Sequence, residues 1–123
     1  MDTEKHPTLG NGKICYIGIP STNTEKSAEF YKNVLGWRIG RNEKGEISFY
    51  DGVTEVSGTW HENRKPSVES GFVISILITD IAKTLELVTQ FGGQIDKRED
   101  NSLANIARVF DPSGNMIILR QTK

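Results

Sequence analysis

Phenols and arginines are the side chains of this sequence whose type and spacing could do chemistry. Tyr16 and Tyr50 stand in or beside apolar runs of the first half of the chain, and Arg108 and Arg120 stand in such runs of the second half. A phenol can act as an acid or base, and its ring can stack on a flat molecule. An arginine can hold a carboxylate or phosphate through two parallel hydrogen bonds. These four residues predict a site for a small apolar or aromatic molecule that can carry an anionic group.

The supply of histidine and cysteine excludes several other kinds of site. The chain has two histidines, His6 and His61, and one cysteine, Cys15. That is too few histidines to support a Ser/His/Asp or Cys/His arrangement, and we find no phosphate loop or dinucleotide motif. We therefore expect no cofactor. A single cysteine rules out an intrachain disulfide and fits a reducing compartment, so we expect a cytoplasmic location.

Charge and hydropathy exclude two classes of partner. The formal net charge is −1, from 15 basic and 16 acidic residues. This balance supplies no positive field for nucleic acid or an anionic membrane surface. The longest strongly apolar stretch, Phe72–Ile78, is far too short to span a bilayer. We expect neither nucleic acid nor membrane as a partner.

The candidate residues fall in segments with the periodicity of strands. A helix starts after the first strand, where Thr22 with Glu25 has the spacing of a capping box and Asn23 is an equally good N-cap. It runs to about Leu35 and ends at Gly36. A second helix starts at Thr79-Asp80 and closes at Phe91-Gly92-Gly93. The predicted strands are Ile14–Pro20, Trp37–Ile39, Glu46–Tyr50, Val56–His61, Phe72–Ile78, Gln94–Lys97, Ile106–Phe110 and Met116–Gln121.

The order strand, helix, three strands occurs twice, which indicates an internal duplication. We predict an α+β fold with a flexible leader at 1–12 and a single domain at 13–123. The domain would consist of two βαβββ modules, 13–61 and 71–121, joined by a polar linker at 62–70. Neither module can bury its sheet alone, so the modules must pack together or swap between chains.

Several local motifs resemble the glyoxalase/bleomycin resistance/extradiol dioxygenase (vicinal oxygen chelate) superfamily. The motifs are Ile17-Gly18-Ile19-Pro20, Ser27-Ala28-Glu29-Phe30-Tyr31, Val34-Leu35-Gly36-Trp37, Ile78-Thr79-Asp80-Ile81, Phe91-Gly92-Gly93 and Phe110-Asp111-Pro112-Ser113-Gly114-Asn115. Their order and spacing cover roughly residues 13–121. The resemblance implies a cupped, eight-stranded mixed sheet around a cavity, with the helices outside, usually in a homodimer.

In metal-dependent members of this superfamily the ligands are on cavity-facing strand positions. The resemblance places these positions on Tyr16, Gly58, Val73 and Ile118. Three of them offer no ligating side chain, and a phenol is a poor ligand at neutral pH. We place His61 on the opposite face from Gly58, away from the cavity. The sequence therefore predicts a protein without a metal site.

Because side chains alternate across a strand, the cavity wall can be predicted residue by residue. We expect the ligand to contact Tyr16, Tyr50, Trp60, Ser75, Arg108, Phe110, Met116, Ile118 and Arg120. Alternatively, Tyr16, Tyr50 and Trp60 simply fill the cup as core, and the two arginines extend to solvent or pair with acids across a dimer interface.

Three functions remain open on the sequence alone. The leading interpretation is a metal-independent, dimeric small-molecule-binding protein, which would sequester or sense its ligand. The second is an enzyme, either a metal-free lyase or isomerase with Tyr16 or Tyr50 as acid or base, or a dioxygenase-like metalloenzyme with a non-standard site. The third is a structural or partner-binding dimer with a filled cup.

Overall fold

The computed structural model describes residues 6–66 and 72–123 and contains every predicted helix and strand. Part of the predicted leader (1–5), part of the predicted linker (67–70) and residue 71 lie outside the described residues. The elements are β1 Tyr16–Pro20, α1 Thr24–Leu35, β2 Arg38–Arg41, β3 Ile47–Tyr50, β4 Ser57–His61, β5 Ser75–Leu77, α2 Ile81–Gln90, β6 Gln94–Asp100, β7 Ala104–Phe110 and β8 Met116–Thr122. The duplicated βαβββ order and the α+β fold class are confirmed.

The eight strands are divided between two mixed sheets of four. The first sheet has the order β1-β4-β3-β2 and the second has the order β5-β8-β7-β6. In each sheet the first strand of the module pairs in parallel with the last, and the other pairs are antiparallel. Among the described residues, no strand of the first sheet comes within 8 Å, Cα to Cα, of a strand of the second.

The helix ends follow from local capping chemistry. At the start of α1 the side chain of Asn23 accepts a hydrogen bond from the Lys26 N–H, so Asn23 is the N-cap. Gly36 ends this helix with a φ of 73°, a left-handed conformation that glycine adopts without strain. Asp80 caps α2 in the same way, through the Lys83 N–H. These caps fix where each helix begins over its sheet.

The hydrophobic core lies between the helices and one face of each sheet. Its aromatic part joins Tyr31 of α1 to Trp37, Phe49 and Trp60, with neighbouring ring centroids 4.7 to 5.7 Å apart. In the second module, Leu85 and Val88 of α2 belong to the same buried cluster as Val109 and Leu119 of the sheet. One face of each sheet is therefore covered, and the opposite face carries the more exposed side chains of the strands.

The two modules are joined through their helices and through a polar contact at the β7–β8 turn. The buried hydroxyl of Tyr31 donates to Asp111 Oδ2 at 2.8 Å. Asn115 Nδ2 donates to the carbonyl oxygen of Pro20 at 2.7 Å and to Asp111 Oδ2 at 2.9 Å. Burial, together with the neighbouring Asp111 carboxylate, raises the pKa of Tyr31 well above its usual value. The Tyr31 phenol is therefore a structural hydrogen-bond donor between the modules.

The described part of the leader contacts the β3–β4 turn. The Thr8 N–H donates to Glu55 Oε1 at 3.0 Å, and His6 Nδ1 lies 2.5 Å from Glu55 Oε2. The Thr8 N–H, followed by His6, lowers the pKa of Glu55. That the leader is flexible stays a prediction. No helix within the described residues is long and apolar enough to cross a membrane.

Candidate functional site

Each sheet turns one face toward the helices and the other away from them, and we call the latter its open face. Residues paired directly across neighbouring strands share a face, so the register assigns the side chains. One row of the first sheet runs Tyr16, Ser57, Tyr50, Arg38, and the next runs Gly18, Thr59, Ser48. Tyr16 is 52% exposed and Tyr50 is 39% exposed, whereas Phe49 between these rows is 1% exposed. The two phenols therefore lie on the first open face, as the sequence predicts.

The predicted face of β4 is wrong by one residue. Gly58 pairs with Ile17 and Phe49, and Trp60 pairs with Ile19, so both lie on the helix-facing side. Trp60 is buried, and its ring lies 4.7 Å from that of Phe49, centroid to centroid. The indole belongs to the aromatic core, on the side of the sheet opposite Tyr16 and Tyr50. Alternation groups the residues of β4 into two sets, but it does not say which set is buried.

The same correction brings His61 onto the first open face, whereas the sequence predicts that it points away from the cavity. Tyr16 Oη is hydrogen-bonded to Thr59 Oγ1, and Thr59 Oγ1 is 3.0 Å from His61 Nε2. A Cβ atom at Gly18 would lie 2.9 Å from both Cδ2 and Nε2 of His61, so glycine makes room for the imidazole. These contacts form a continuous phenol–hydroxyl–imidazole chain across β1 and β4. The sequence signal for it was the spacing of Thr59 and His61 at alternate positions of one strand.

A cleft of about 510 Å³ opens beside this chain, between the start of α1 and the turn before β3. Its lining includes Ser48, Thr59 and His61 of the open face, the predicted contact residue Trp60, and the acidic residues Glu25 and Glu46. A bidentate Arg41 guanidinium lowers the pKa of Glu25. The imidazole end of the chain thus faces an acidic cleft, and the phenol end is exposed on the sheet.

On the second open face, the side chains alternate along the strands as the sequence predicts. One row runs Ser75, Ile118, Arg108, Lys97, and the next runs Leu77, Arg120, Ile106, Glu99. Phe110 and Met116, both half-buried, form a third pair on the same face. A shallow depression of about 150 Å³ is lined by Lys97, Glu99, Ile106, Arg108 and Ile118. This face offers apolar contact area beside basic side chains.

The two arginines of this face differ in their surroundings. Arg108 Nε donates to Asp96 Oδ2 at 2.6 Å, next to an irregularity in the register of β6. Arg120 is exposed between the apolar side chains of Leu77 and Ile106. Because Arg108 already has a carboxylate partner, Arg120 is the better candidate to contact an anionic ligand.

The residues at the implied metal-ligand positions do not fit a divalent ion. Val73 and Ile118 have no ligating atom, and Gly58 lies on the helix-facing side. The phenol of Tyr16 is hydrogen-bonded to Thr59. Within residues 6–66 and 72–123, no three His, Cys, Asp or Glu side chains lie close enough together to hold a metal ion. A catalytic zinc-type site needs about three such ligands.

Comparison with known proteins decides the family. The model of the glyoxalase/bleomycin resistance protein/dioxygenase superfamily matches residues 13–119. The chain belongs to this superfamily. A probable lactoylglutathione lyase of Vibrio parahaemolyticus is 26% identical over an alignment of 130 positions, which covers 94% of each chain. The family and the fold that the motifs imply are confirmed.

Solved structures show the same superfamily fold at low sequence identity. TnmS3, an antibiotic binding protein from a Streptomyces species, is 18% identical with a TM-score of 0.68, covering 94% of this chain and all of its own. The fosfomycin resistance protein FosX from Mesorhizobium loti is 15% identical with a TM-score of 0.67, covering 94% and 95%. At these identities the likeness concerns the fold alone.

Proposed function

We propose that this member of the superfamily binds a small molecule without a metal ion and acts as a homodimer. The observation that carries the proposal is the composition of the two open faces. They combine exposed aromatic and apolar side chains, such as Tyr16, Tyr50 and Leu77, with the guanidinium groups of Arg108 and Arg120. An apolar surface with a few placed polar groups is typical of small-molecule sites.

A homodimer would turn these faces into a cavity. Among the described residues no strand of one sheet comes within 8 Å, Cα to Cα, of a strand of the other, and the exposure of side chains on both open faces indicates that neither face covers the other. Tyr16 is 52% exposed and Leu77 is 71% exposed, and exposed apolar patches mark interaction surfaces. A second copy of the chain would place its own open face opposite that of the first copy, and the two faces together would complete the cup.

The ligand class follows from the side chains of the two faces. Tyr16 and Tyr50 suit a flat apolar or aromatic molecule, and Arg120 suits an anionic group on it. We infer no cofactor, no nucleic acid and no membrane partner. The names of two structural neighbours, an antibiotic binding protein and a fosfomycin resistance protein, agree with drug binding as one use of the fold. The free, exposed Cys15 suits a reducing compartment such as the cytoplasm.

A metal-free lyase or isomerase is the second candidate. The hydrogen-bond chain from Tyr16 through Thr59 to His61 favours it, because such a chain can supply a phenol with a proton or remove one. The name of the Vibrio relative, a probable lactoylglutathione lyase, points to the same reaction class. Turnover of the hemithioacetal of methylglyoxal and glutathione by metal-depleted protein would favour this candidate.

Binding of naphthoate, a flat aromatic carboxylate, tests the proposed ligand class by isothermal titration calorimetry. Arg120→Ala should weaken binding about tenfold or more, since a charge-assisted hydrogen bond contributes about 1.5 kcal/mol or more. Arg98 provides a matched control, because it pairs with Ala107 on the helix-facing side and forms an ion pair with Asp100. Arg98→Ala should leave the affinity unchanged. Equal losses in both variants, or no binding by the unmodified protein, would count against the proposal.

A further inference from the structure

We propose that His61, acting through Thr59, sets whether Tyr16 offers a bound molecule a hydrogen-bond donor or an acceptor. Tyr16 would then be a specificity-determining contact of the first open face, and the preferred ligand group there would be a carboxylate, phenolate or carbonyl oxygen when His61 is charged. The inference deepens the proposed function and rests on it only where it concerns a ligand. The coupling of Tyr16 to His61 stands on the geometry of the chain alone.

The geometry has the features of a built arrangement. Tyr16 lies on β1, whereas Thr59 and His61 occupy alternate positions of the neighbouring strand β4, so all three side chains project from one face. The Thr59 hydroxyl is hydrogen-bonded to both of the others. Gly18 lies between Tyr16 and the imidazole, and any side chain there would meet the ring at 2.9 Å. The strand residues thus hold the imidazole within reach of Thr59.

The direction in which the hydrogen bonds of this chain run depends on whether Nε2 of His61 carries a proton. A hydroxyl group has one proton to donate, so each hydroxyl can donate toward only one neighbour at a time. When Nε2 carries no proton it accepts from Thr59, and Thr59 in turn accepts from Tyr16. The Tyr16 proton then points inward, and the phenol offers only its lone pairs to a molecule on the open face.

Protonation of His61 removes that arrangement. In the imidazolium both ring nitrogens donate, so Nε2–H must donate to Thr59. The Thr59 hydroxyl then has no acceptor on the imidazole and can donate to Tyr16, whose own proton can point outward. A charged His61 therefore makes Tyr16 available as a donor, which suits an anionic or carbonyl oxygen on the ligand.

Other charged groups surround the imidazole and must be distinguished from it. Glu25 and Glu46 line the same cleft, and Arg41 pairs with Glu25. Glu62 follows His61 in the chain and accepts from the Thr24 N–H at 3.2 Å. Carboxylates and guanidinium groups do not ordinarily change charge near neutral pH, whereas an imidazole does. Thr59→Val then distinguishes a change carried by His61, whose Nε2 is 3.0 Å from Thr59 Oγ1, from one carried by the other histidine, His6, which contacts Glu55.

The coupling is measured without any ligand, by following the ring signals of Tyr16 and His61 by NMR as a function of pH. The Tyr16 signal should shift with the same midpoint as the His61 signal in the unmodified protein. Thr59→Ser keeps the hydroxyl and should keep the shared midpoint, whereas Thr59→Val removes it and should abolish the Tyr16 step. Tyr50, on the same face but outside the chain, should show no step at this midpoint. A Tyr16 step that survives in Thr59→Val, or that is missing from the unmodified protein, would overturn the proposal.

Naphthoate binding tests the consequence for specificity. Lowering the pH from about 8 to about 6 should strengthen binding by a factor at least about threefold larger in the unmodified protein than in Thr59→Val. The comparison with Thr59→Val subtracts the plain attraction of a charged imidazole for an anion, which both proteins share. Equal pH dependence in the two would overturn the role in specificity. If naphthoate binds neither at any pH, the proposed ligand class and this role both fail, while the NMR result still decides the coupling.

Discussion

Gly58→Ala is expected to lower the free energy of unfolding by about 3 kcal/mol, the largest effect expected of a glycine-to-alanine change in the first sheet. A Cβ atom at this position would lie 2.1 Å from the carbonyl oxygen of Ile17 and 2.4 Å from Cζ of Phe49. The first of these atoms is backbone of the paired strand, so relief requires β1 and β4 to separate. Phe49 cannot retreat, because its ring is packed against Trp37 and Trp60.

Gly40→Ala is the matched control for Gly58→Ala. Gly40 is in the same sheet, but its Cβ would point to the open face, where the one described atom within 4 Å is the side-chain oxygen of Ser48, at 3.3 Å. We expect it to cost less than about 1 kcal/mol. Urea denaturation measures both values. Similar losses of unfolding free energy in the two variants would mean that Gly58 does not face the core. The assignment of the β4 faces would then be wrong.

Trp60→Ala is expected to cost about 3 to 5 kcal/mol of unfolding free energy, because it leaves a cavity among aromatic rings. The indole is 6% exposed and lies between Phe49 and Tyr31. Within the described residues its Nε1 has no hydrogen-bond partner. Trp60→Phe keeps a ring in place and removes this unpaired N–H, so it should cost less than half as much.

The Trp60 variants also separate the two placements of the indole. If Trp60 lies on the helix-facing side of the sheet, its fluorescence should not be quenched when naphthoate binds on the open face. Thermal or urea unfolding gives the stability change. The contribution of Trp60 to the emission during the naphthoate titration is the difference between the unmodified protein and Trp60→Phe, which keeps Trp37. A stable Trp60→Ala variant that has lost naphthoate binding would return the indole to the cavity wall.

The sequence predicts the elements of this fold because their signals are local. Asn23 and Gly36 set the ends of α1 through their own backbone and side-chain chemistry, and alternation placed Tyr16, Arg108 and Arg120 on the correct faces. The edge strand β6 was predicted only to Lys97 but extends to Asp100. Its charged second half has the composition of a loop, and charged residues are also what protects an exposed sheet edge.

The burial of β4 could not be predicted from the strand itself. The face of β4 that carries Gly58 and Trp60 is the covered one because the rings of Tyr31 and Phe49 pack against it, and these rings come from other elements. The hydrogen-bond chain from Tyr16 to His61 follows from this assignment, because it lies on the opposite face of β4. Likewise, local patterns do not specify that the eight strands divide into two sheets of four, because the division depends on pairing between strands that are far apart in the sequence.

Native mass spectrometry tests the central claim most directly, since one spectrum reports chain stoichiometry, bound metal and bound ligand. The protein would be purified without chelator and measured with and without naphthoate. We predict a species of twice the 13.7 kDa chain mass that carries no metal ion and takes up naphthoate. A monomer that takes up no ligand would contradict the claim, as would one divalent ion per chain whose removal abolishes naphthoate uptake.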